Sequence, residues 1–577
     1  MKIFSQKIHD FYPFLLVLGG GMIMGCTPAP VGAWYLAWVA MIPLWIVVLE
    51  QEMLPFGIRK TPHPLTPSPT RGEGRYDFSL TPLSRSGRGA GSEGSSLTKS
   101  NITQKSIIYG CLWGVGYHGL GISWITGIHP MTWMGVPWLA SLAIASFCWI
   151  FLTLAGAFFV GLWVLMMIWI DKLRPNHLPN FSTGKLLGKI LMGTALWCGL
   201  EGLFSLGDLW WTSLSYTQSP ENLAILQLGK ISGPNTITAA IVAVNGLLAA
   251  GIISWATQGK KLVCGGLGLL IGLHLLGWMI YSQPIADAPN QALKIGIIQG
   301  NIPNTIKLYP EGWRRAIAGY TSGYEQLADQ GVVAVLTPET ALPFLWSEQV
   351  ASRSSFYKAV LDKGVMVWIG GFGREGNRLT NSLFTVTGKG ETVSQYNKFK
   401  LVPLGEYIPF EQFIGQFINR LSPLDAKLQG GKIDQILDTP LGRVIAGICY
   451  ESAFSRHFRR QAALGGEFMI TASNNAHYTA AMPAQHHAQD VLRAVEIDRW
   501  AVRATNTGYS GIVDPHGNTL WLSDINTYET HAHTIYKRQT QTWYVRWGDW
   551  LTPVLLLLGG MTAIVPALRS GRLQRIN

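Results

Sequence analysis

Cys449, Glu339 and Lys398 are the residues of this chain whose types and surroundings could do covalent chemistry. Cys449 closes the apolar run Arg443-Val-Ile-Ala-Gly-Ile-Cys449 and is the only cysteine between residues 283 and 548. Glu339 closes Val332-Val-Ala-Val-Leu-Thr-Pro-Glu339 in the same way, and Lys398 opens a polar loop in Tyr396-Asn-Lys398. Acyl transfer through a thioester needs a thiolate, a base for the thiol proton, and positive charge or N–H donors where the carbonyl oxygen becomes anionic. Cys449 then reads as nucleophile, Glu339 as base and Lys398 as the group that stabilises thiolate and oxyanion. The backbone N–H of Tyr450 is a second donor by analogy with nucleophile elbows. Burial at an apolar strand end is expected to raise the proton affinity of Glu339. A lone cysteine at a strand end is more often a packed core residue, so the ordered set of three carries the reading.

Short apolar runs separated by Gly, Pro and Asn position these groups. Strands are expected at Leu293 to Ile298, Val332 to Leu336, Val365 to Gly370, Ser382 to Thr387, Arg443 to Ile448 and Phe468 to Ala472. Helical patterns lie at Trp313 to Asp329, Ser347 to Lys363, Phe454 to Leu464 and Pro483 to Arg503, so the segment is α/β. Runs apolar on both faces belong inside a sheet covered by helices.

The rest of the chain has a different character. Of 577 residues 48% are hydrophobic and 14% charged, against roughly 25% charged in an ordinary soluble domain. Apolar stretches near 12–28, 31–49, 106–127, 136–170, 186–206, 236–256, 262–281 and 550–568 predict eight membrane spans. The stretch from Gly135 to Ile170 reads as one long helix or two short ones. Loops rich in Lys and Arg, at 51–105, after residue 170, at Lys260-Lys261 and at the C-terminus, alternate with connections at 29–31 and 128–135 that have neither. The alternation holds if the long stretch counts once, and it puts residues 283–548 on the periplasmic side. The domains are thus 1–282 with seven helices, 283–548, and 549–577 with the eighth helix and a cytoplasmic tail. Within the first, residues 55–105 read as a disordered cytoplasmic insertion rich in Pro, Gly, Ser and Arg.

Thr337-Pro-Glu339-Thr-Ala-Leu-Pro343, Tyr396-Asn-Lys398-Phe-Lys-Leu-Val-Pro-Leu-Gly-Glu406-Tyr-Ile-Pro409 and Cys449-Tyr450-Glu451 resemble the apolipoprotein N-acyltransferases, a membrane-embedded branch of the nitrilase superfamily. The resemblance implies a polytopic α-helical domain of eight transmembrane helices and a nitrilase-like αββα sandwich between the last two. It favours Lys398 over Lys400, and implies supporting roles for Glu406, Tyr450, Glu451 and Asn381. It also implies a ping-pong reaction. Cys449 takes an acyl chain from a membrane phospholipid and passes it to the N-terminal amine of a diacylglyceryl-cysteine, the last step of lipoprotein maturation. Two departures stand out. Glu201-Gly-Leu-Phe204 lacks the arginine that commonly follows such a glutamate, and Ser473-Asn-Asn-Ala-His-Tyr478 replaces Ser-Asn-Asp-Ala-Trp in a loop expected to help cover the substrate.

The net charge of +12 is explained by cytoplasmic loops against anionic lipid, and no motif for nucleic acid is present. His477, His486 and His487 have no ligand partner at regular spacing, so neither metal nor cofactor is expected. A lone exported thiol has no disulfide partner, and Glu451 is read either as site residue or as a helix cap near Phe454. Trp346, Phe413, Phe417 and Trp543 to Trp550 are candidate interfacial anchors or ordinary packing. A monomer is expected. The rival functions are a membrane-tethered amidase hydrolysing small amides with the same triad, and a non-catalytic binding protein.

Overall fold

The expected strands form two sheets in a computed structural model of the chain, which describes residues 2–50, 93–173, 182–347, 352–407 and 428–569. One sheet holds β1 (Ala292–Gln299), β2 (Ala334–Leu336), β3 (Leu342–Leu345), β4 (Met366–Glu375), β5 (Arg378–Val386), β6 (Thr392–Asn397) and β13 (Glu529–Tyr536). Their order is β13-β1-β2-β4-β5-β6, with β3 beside β4. The other sheet holds β7 (Leu437–Thr439), β8 (Gly442–Ile448), β9 (Phe468–Ser473), β10 (Ala501–Thr505), β11 (Gly511–Val513) and β12 (Thr519–Leu522), ordered β12-β11-β10-β9-β8-β7. β1, β2 and β4 run parallel, as do β8, β9 and β10.

Alternation along the strands builds the layers. Ile295, Ile297, Leu336 and Trp368 face Val444, Ala446, Ile448 and Ile470 across the sandwich. Ile298, Val335, Val367 and Ile369 point the other way, onto the helices Pro310–Asp329 and Ser355–Lys363. Ile445 and Met469 pack with Phe458 of the helix Ser455–Ala463 and with Val491, Leu492 and Val495 of the helix Ala481–Ile497. Helices on both outer faces give the four layers αββα.

The helical pattern read at Pro483 to Arg503 is corrected. The helix stops at Ile497, Asp498 adopts a left-handed φ of 55°, and Ala501–Thr505 is a strand at the centre of its sheet. Asp498 is held in that turn by Lys230, Arg538 and Thr540, a tertiary arrangement that local periodicity does not encode. Within the pattern at Ser347 to Lys363, the described helix is Ser355–Lys363, which starts where the Ser354 side chain accepts the Tyr357 N–H and ends at Gly364 with φ 70°. Residues 348–351 lie outside the described residues.

Among the described residues, four helices are long and apolar enough to cross a membrane by length and composition: Trp138–Lys172, Thr183–Phe204, Pro234–Ile253 and Trp255–Tyr281. The first decides the ambiguous stretch, which is one continuous helix. Tyr12–Gly25, Trp34–Leu49, Leu223–Ser232 and Leu551–Thr562 are shorter apolar helices. The expected span at 31–49 is broken into Trp34–Trp38 and Ile42–Leu49, just ahead of Pro43, which has no N–H to continue a helix backwards. Backbone groups freed in apolar surroundings need partners. Asn245 supplies two, accepting from Met41 N at 3.0 Å and donating to Ala37 O at 2.9 Å, while Trp113 Nε1 donates to Ala40 O at 3.0 Å. Edge-to-face contacts link Trp45 to Trp163 and Trp163 to Trp197. Glu201, buried beside them, accepts from Trp197, Leu214, Ser213 and Thr238, so it ties helices together.

The helix Glu93–Gly121 begins inside the segment read as a disordered insertion, so its last residues are helical; positions 55–92 lie outside the described residues. Trp346 is packed against Phe384 and donates to Thr392 Oγ1 at 3.0 Å, the packing alternative of its two readings. Trp543 and Trp547 are exposed. Phe413 and Phe417 lie outside the described residues.

Candidate active site

Three strand ends converge on one cavity of about 150 Å³. β2 delivers Glu339 through the turn Thr337 to Thr340, and Gly370 of β4 makes room for it: a Cβ there would lie 1.9 Å from the Pro338 carbonyl. β6 delivers Lys398, whose N–H donates to Asn381 O at 2.8 Å. β8 delivers Cys449, which has a φ of 52° where it leaves the strand for the turn Cys449–Ala453. A positive φ in a non-glycine residue is strained by roughly 1–3 kcal/mol and persists only where the surroundings enforce it. Here His486 Nε2 lies 2.7 Å from the Cys449 carbonyl. A carbonyl can only accept, so Nε2 carries the proton, and Nδ1 accepts from Asn475 Nδ2 at 3.1 Å.

Lys398 Nζ donates to Glu339 Oε1 at 2.8 Å and pairs with Glu406 Oε2 at 2.9 Å. Asn381 Nδ2 donates to Glu339 Oε1 at 2.7 Å and Glu406 Oε1 at 2.9 Å. Glu406 also accepts the Val402 N–H at 2.8 Å. Burial alone would raise the Glu339 carboxyl, but Lys398, Lys307 and Asn381 together hold it below the ordinary carboxylate range. The expectation of a raised proton affinity is thereby overturned, because the strand end is apolar behind Glu339 and cationic in front of it. Burial works to strip the Lys398 proton, and Glu339 and Glu406 outweigh it, so the ammonium stays charged. Burial, reinforced by Glu339, pushes the Cys449 thiol up to about 12.

Residues 294–544 match the family model for carbon-nitrogen hydrolases, and residues 95–247 match that for the apolipoprotein N-acyltransferase N-terminal domain. The chain is 52% identical over 537 residues to the apolipoprotein N-acyltransferase of Nostoc sp., covering 92% of this chain and 95% of that one. It is 46% identical to that of Synechocystis sp., covering 93% and 98%. It is 42% identical to that of Thermosynechococcus vestitus, covering 78% and 85%. The chain belongs to the apolipoprotein N-acyltransferase family.

Against that family's pattern, Asn381 and Glu406 touch the Glu339–Lys398 pair directly. Glu451 does not face the cavity. It accepts from Phe399 N at 2.5 Å, Lys400 N at 3.1 Å, Ile448 N at 2.6 Å and Tyr396 Oη at 2.9 Å, so it ties the cysteine turn to the lysine loop and caps no helix at Phe454. Its carboxyl is pushed up to about 7 by burial, against the pull of those donors. The Tyr450 side chain leaves the cavity to donate to Asp208 O at 2.8 Å and Trp210 O at 2.9 Å. Lys400 pairs with Asp208 at 2.5 Å, away from the cavity.

Sequence reasoning missed Lys307, Asn304 and Trp133, all lining the cavity. The rule that picked out Glu339 applies equally to Asn301–Lys307, the polar segment after β1, and would have found two of them. Trp133 gave no such signal; it comes from the connection at 128–135 and stacks on His477 at 5.9 Å. His486 and His487 are engaged by the Cys449 carbonyl and Thr519. Asn474, His477 and Tyr478 line the cavity, and Asn475 turns inward to His486.

Proposed function

We propose that the chain transfers an acyl chain from a membrane phospholipid, through a thioester on Cys449, to the N-terminal α-amine of the diacylglyceryl-cysteine of apolipoproteins. The observation that carries this reading is family membership over more than nine-tenths of the chain, joined to a carboxylate, an ammonium and a thiol lining one cavity.

Glu339 is charged and Cys449 neutral at rest, so the proton moves as sulfur attacks the ester carbonyl. The S–C bond forms, Lys398 and the Tyr450 N–H stabilise the oxyanion, and the C–O bond breaks. The proton on Glu339 passes to the departing glycerol oxygen, releasing a lysophospholipid. In the second half the α-amine attacks the thioester, its proton passes to Glu339 and on to the leaving thiolate, and the amide forms. Glu406 and Asn381 keep Lys398 and Glu339 oriented.

The domains of this reading are residues 1–282 with seven spans, 283–548 outside the cytoplasmic membrane, and 549–577 with an eighth. The distribution of Lys and Arg and the single helix through 138–172 support that count. The inner membrane of a two-membrane bacterium is the site, and one copy carries every catalytic group.

Intact mass spectrometry of the protein with phospholipid vesicles tests the reading. Wild type gains a hydroxylamine-labile acyl mass that a diacylglyceryl-cysteine peptide removes, and Cys449→Ala gains none. Absence of the adduct in wild type would sink it.

A further inference from the structure

The cavity wall has spare hydrogen-bond donors in one place. Asn506 is tied to the Ile302 main chain at both amide atoms, Nδ2 donating to O at 2.7 Å and Oδ1 accepting from N at 2.9 Å. Its Nδ2 also donates to Asn474 Oδ1 at 3.1 Å, and Asn474 Nδ2 donates to Asn304 Oδ1 at 3.0 Å. Each amide fixes the orientation of the next. The series ends at Asn304, whose buried Nδ2 has no partner among the described residues. Buried amide donors are rarely left unpaired in folded proteins, so such a group is complementary to an acceptor that arrives with a ligand.

Lys307 lies one turn further on and is 4% exposed. Its described hydrogen bond, at 3.0 Å, ends on the Glu339 main-chain carbonyl and not on a carboxylate. Lys398, by contrast, is neutralised by Glu339 and Glu406. A buried ammonium and an oriented amide N–H on the same turn, lining the same cavity as the nucleophile, suit an anionic oxygen cluster. Burial favours release of the Lys307 proton, bringing its pKa down to about 8, and an arriving anion would hold it charged.

We propose that Lys307 and Asn304 form the subsite for the phosphodiester of the acyl donor. This rests on the acyl-transfer reading above, and it names the part of the donor that the protein holds. The phosphodiester is the formal anion shared by glycerophospholipids, a short glycerol linkage from the ester that Cys449 attacks. Binding through it accepts varied headgroups.

The test compares acylation of Cys449, followed by intact mass, from phosphatidylethanolamine vesicles and from a neutral short-chain p-nitrophenyl ester. The ratio of the two rates falls about 10- to 100-fold in Lys307→Met, the range for one charge-assisted hydrogen bond, and less in Asn304→Ala. Lys307→Arg recovers part of it. An unchanged ratio in folded variants overturns the subsite alone, whereas a wild type acylated by neither ester overturns the acyl-transfer reading. Inorganic phosphate that slows wild type on both esters but leaves Lys307→Met unaffected would assign the pair to free phosphate and overturn the lipid assignment.

Discussion

Lys398 Nζ sits 2.8 Å from Glu339 Oε1, with both side chains more than nine-tenths buried. A carboxylate held down by an adjacent ammonium is charged throughout the physiological range, and the thiol beside it is protonated. The site therefore stores its base and its proton separately until an electrophile arrives.

That charge state sets the pH dependence of the nucleophile. Alkylation of Cys449 by neutral iodoacetamide in the absence of lipid is expected to keep rising from pH 7 to 10 without levelling near 8.5, the ordinary thiol value, because the folded thiol titrates at about 12. Mass-resolved alkylation rates check this, and a plateau by pH 9 contradicts it.

Lys398→Met leaves Glu339 and Glu406 facing the same Asn381 amide with no cation bridging them. Removing one partner of a buried pair costs about 3–5 kcal/mol. The variant should unfold earlier in detergent and form no thioester. Lys398→Arg should not rescue it, since the ammonium sits between Glu339 Oε1 and Glu406 Oε2 at 2.8 and 2.9 Å, and a planar guanidinium presents its donors in a different geometry.

Glu451→Gln keeps shape but replaces one acceptor oxygen by an NH₂ that faces donors. With four N–H and O–H groups converging on the carboxylate, about 2–3 kcal/mol of stability should be lost. Both acylation and deacylation slow, because the turn of Cys449 and the loop of Lys398 loosen together. Loss of one half-reaction alone would assign Glu451 to chemistry instead.

His486→Ala removes the donor that pins the Cys449 carbonyl. The acylation rate constant should fall roughly 10-fold or more with little change in the lipid concentration at half-maximal rate. His486→Gln, which can still donate, should recover part of it. An unchanged rate means the left-handed cysteine is held by other contacts.

Asp498 joins the catalytic domain to Lys230 and Arg538. Burial acts to raise its carboxyl, and the two cations outweigh it, leaving it well below the ordinary range. A depressed folded value means the stabilisation is present above the unfolded value, about 3.9, and fades as pH falls towards the folded one. Asp498→Asn tolerates the same left-handed turn, so it should cost about 3 kcal/mol at pH 7, narrowing below pH 4. Thermal unfolding across that pH range checks it.

The sequence made legible what strand grammar makes legible. Glu339 and Cys449 each follow a run whose apolar residues fix a buried strand, whereas Lys398 follows the partly exposed edge strand β6 and was legible only through its motif. β10 was hidden because Arg499 and Arg503 mimic a helical polar face, while their charges are met by the Gly466 carbonyl and Asp490 from distant segments. How Glu451 supports the site was not legible for a related reason: its four donors come from three separate elements. His486 was weighed only as a metal ligand because its contact is with a main-chain atom, which no residue spacing reveals. The sign of the Glu339 shift was missed because it depends on Lys307 and Lys398, which the fold alone brings alongside.

The cavity described above is walled from two parts of the chain. Trp133, from the connection ahead of the helix Trp138–Leu173, lines it together with Cys449 and stacks on His477. A sandwich cut away from its helices would keep Glu339, Lys398 and Cys449 but lose part of the chamber around them, so excision should separate possession of the reactive groups from the ability to seat a substrate.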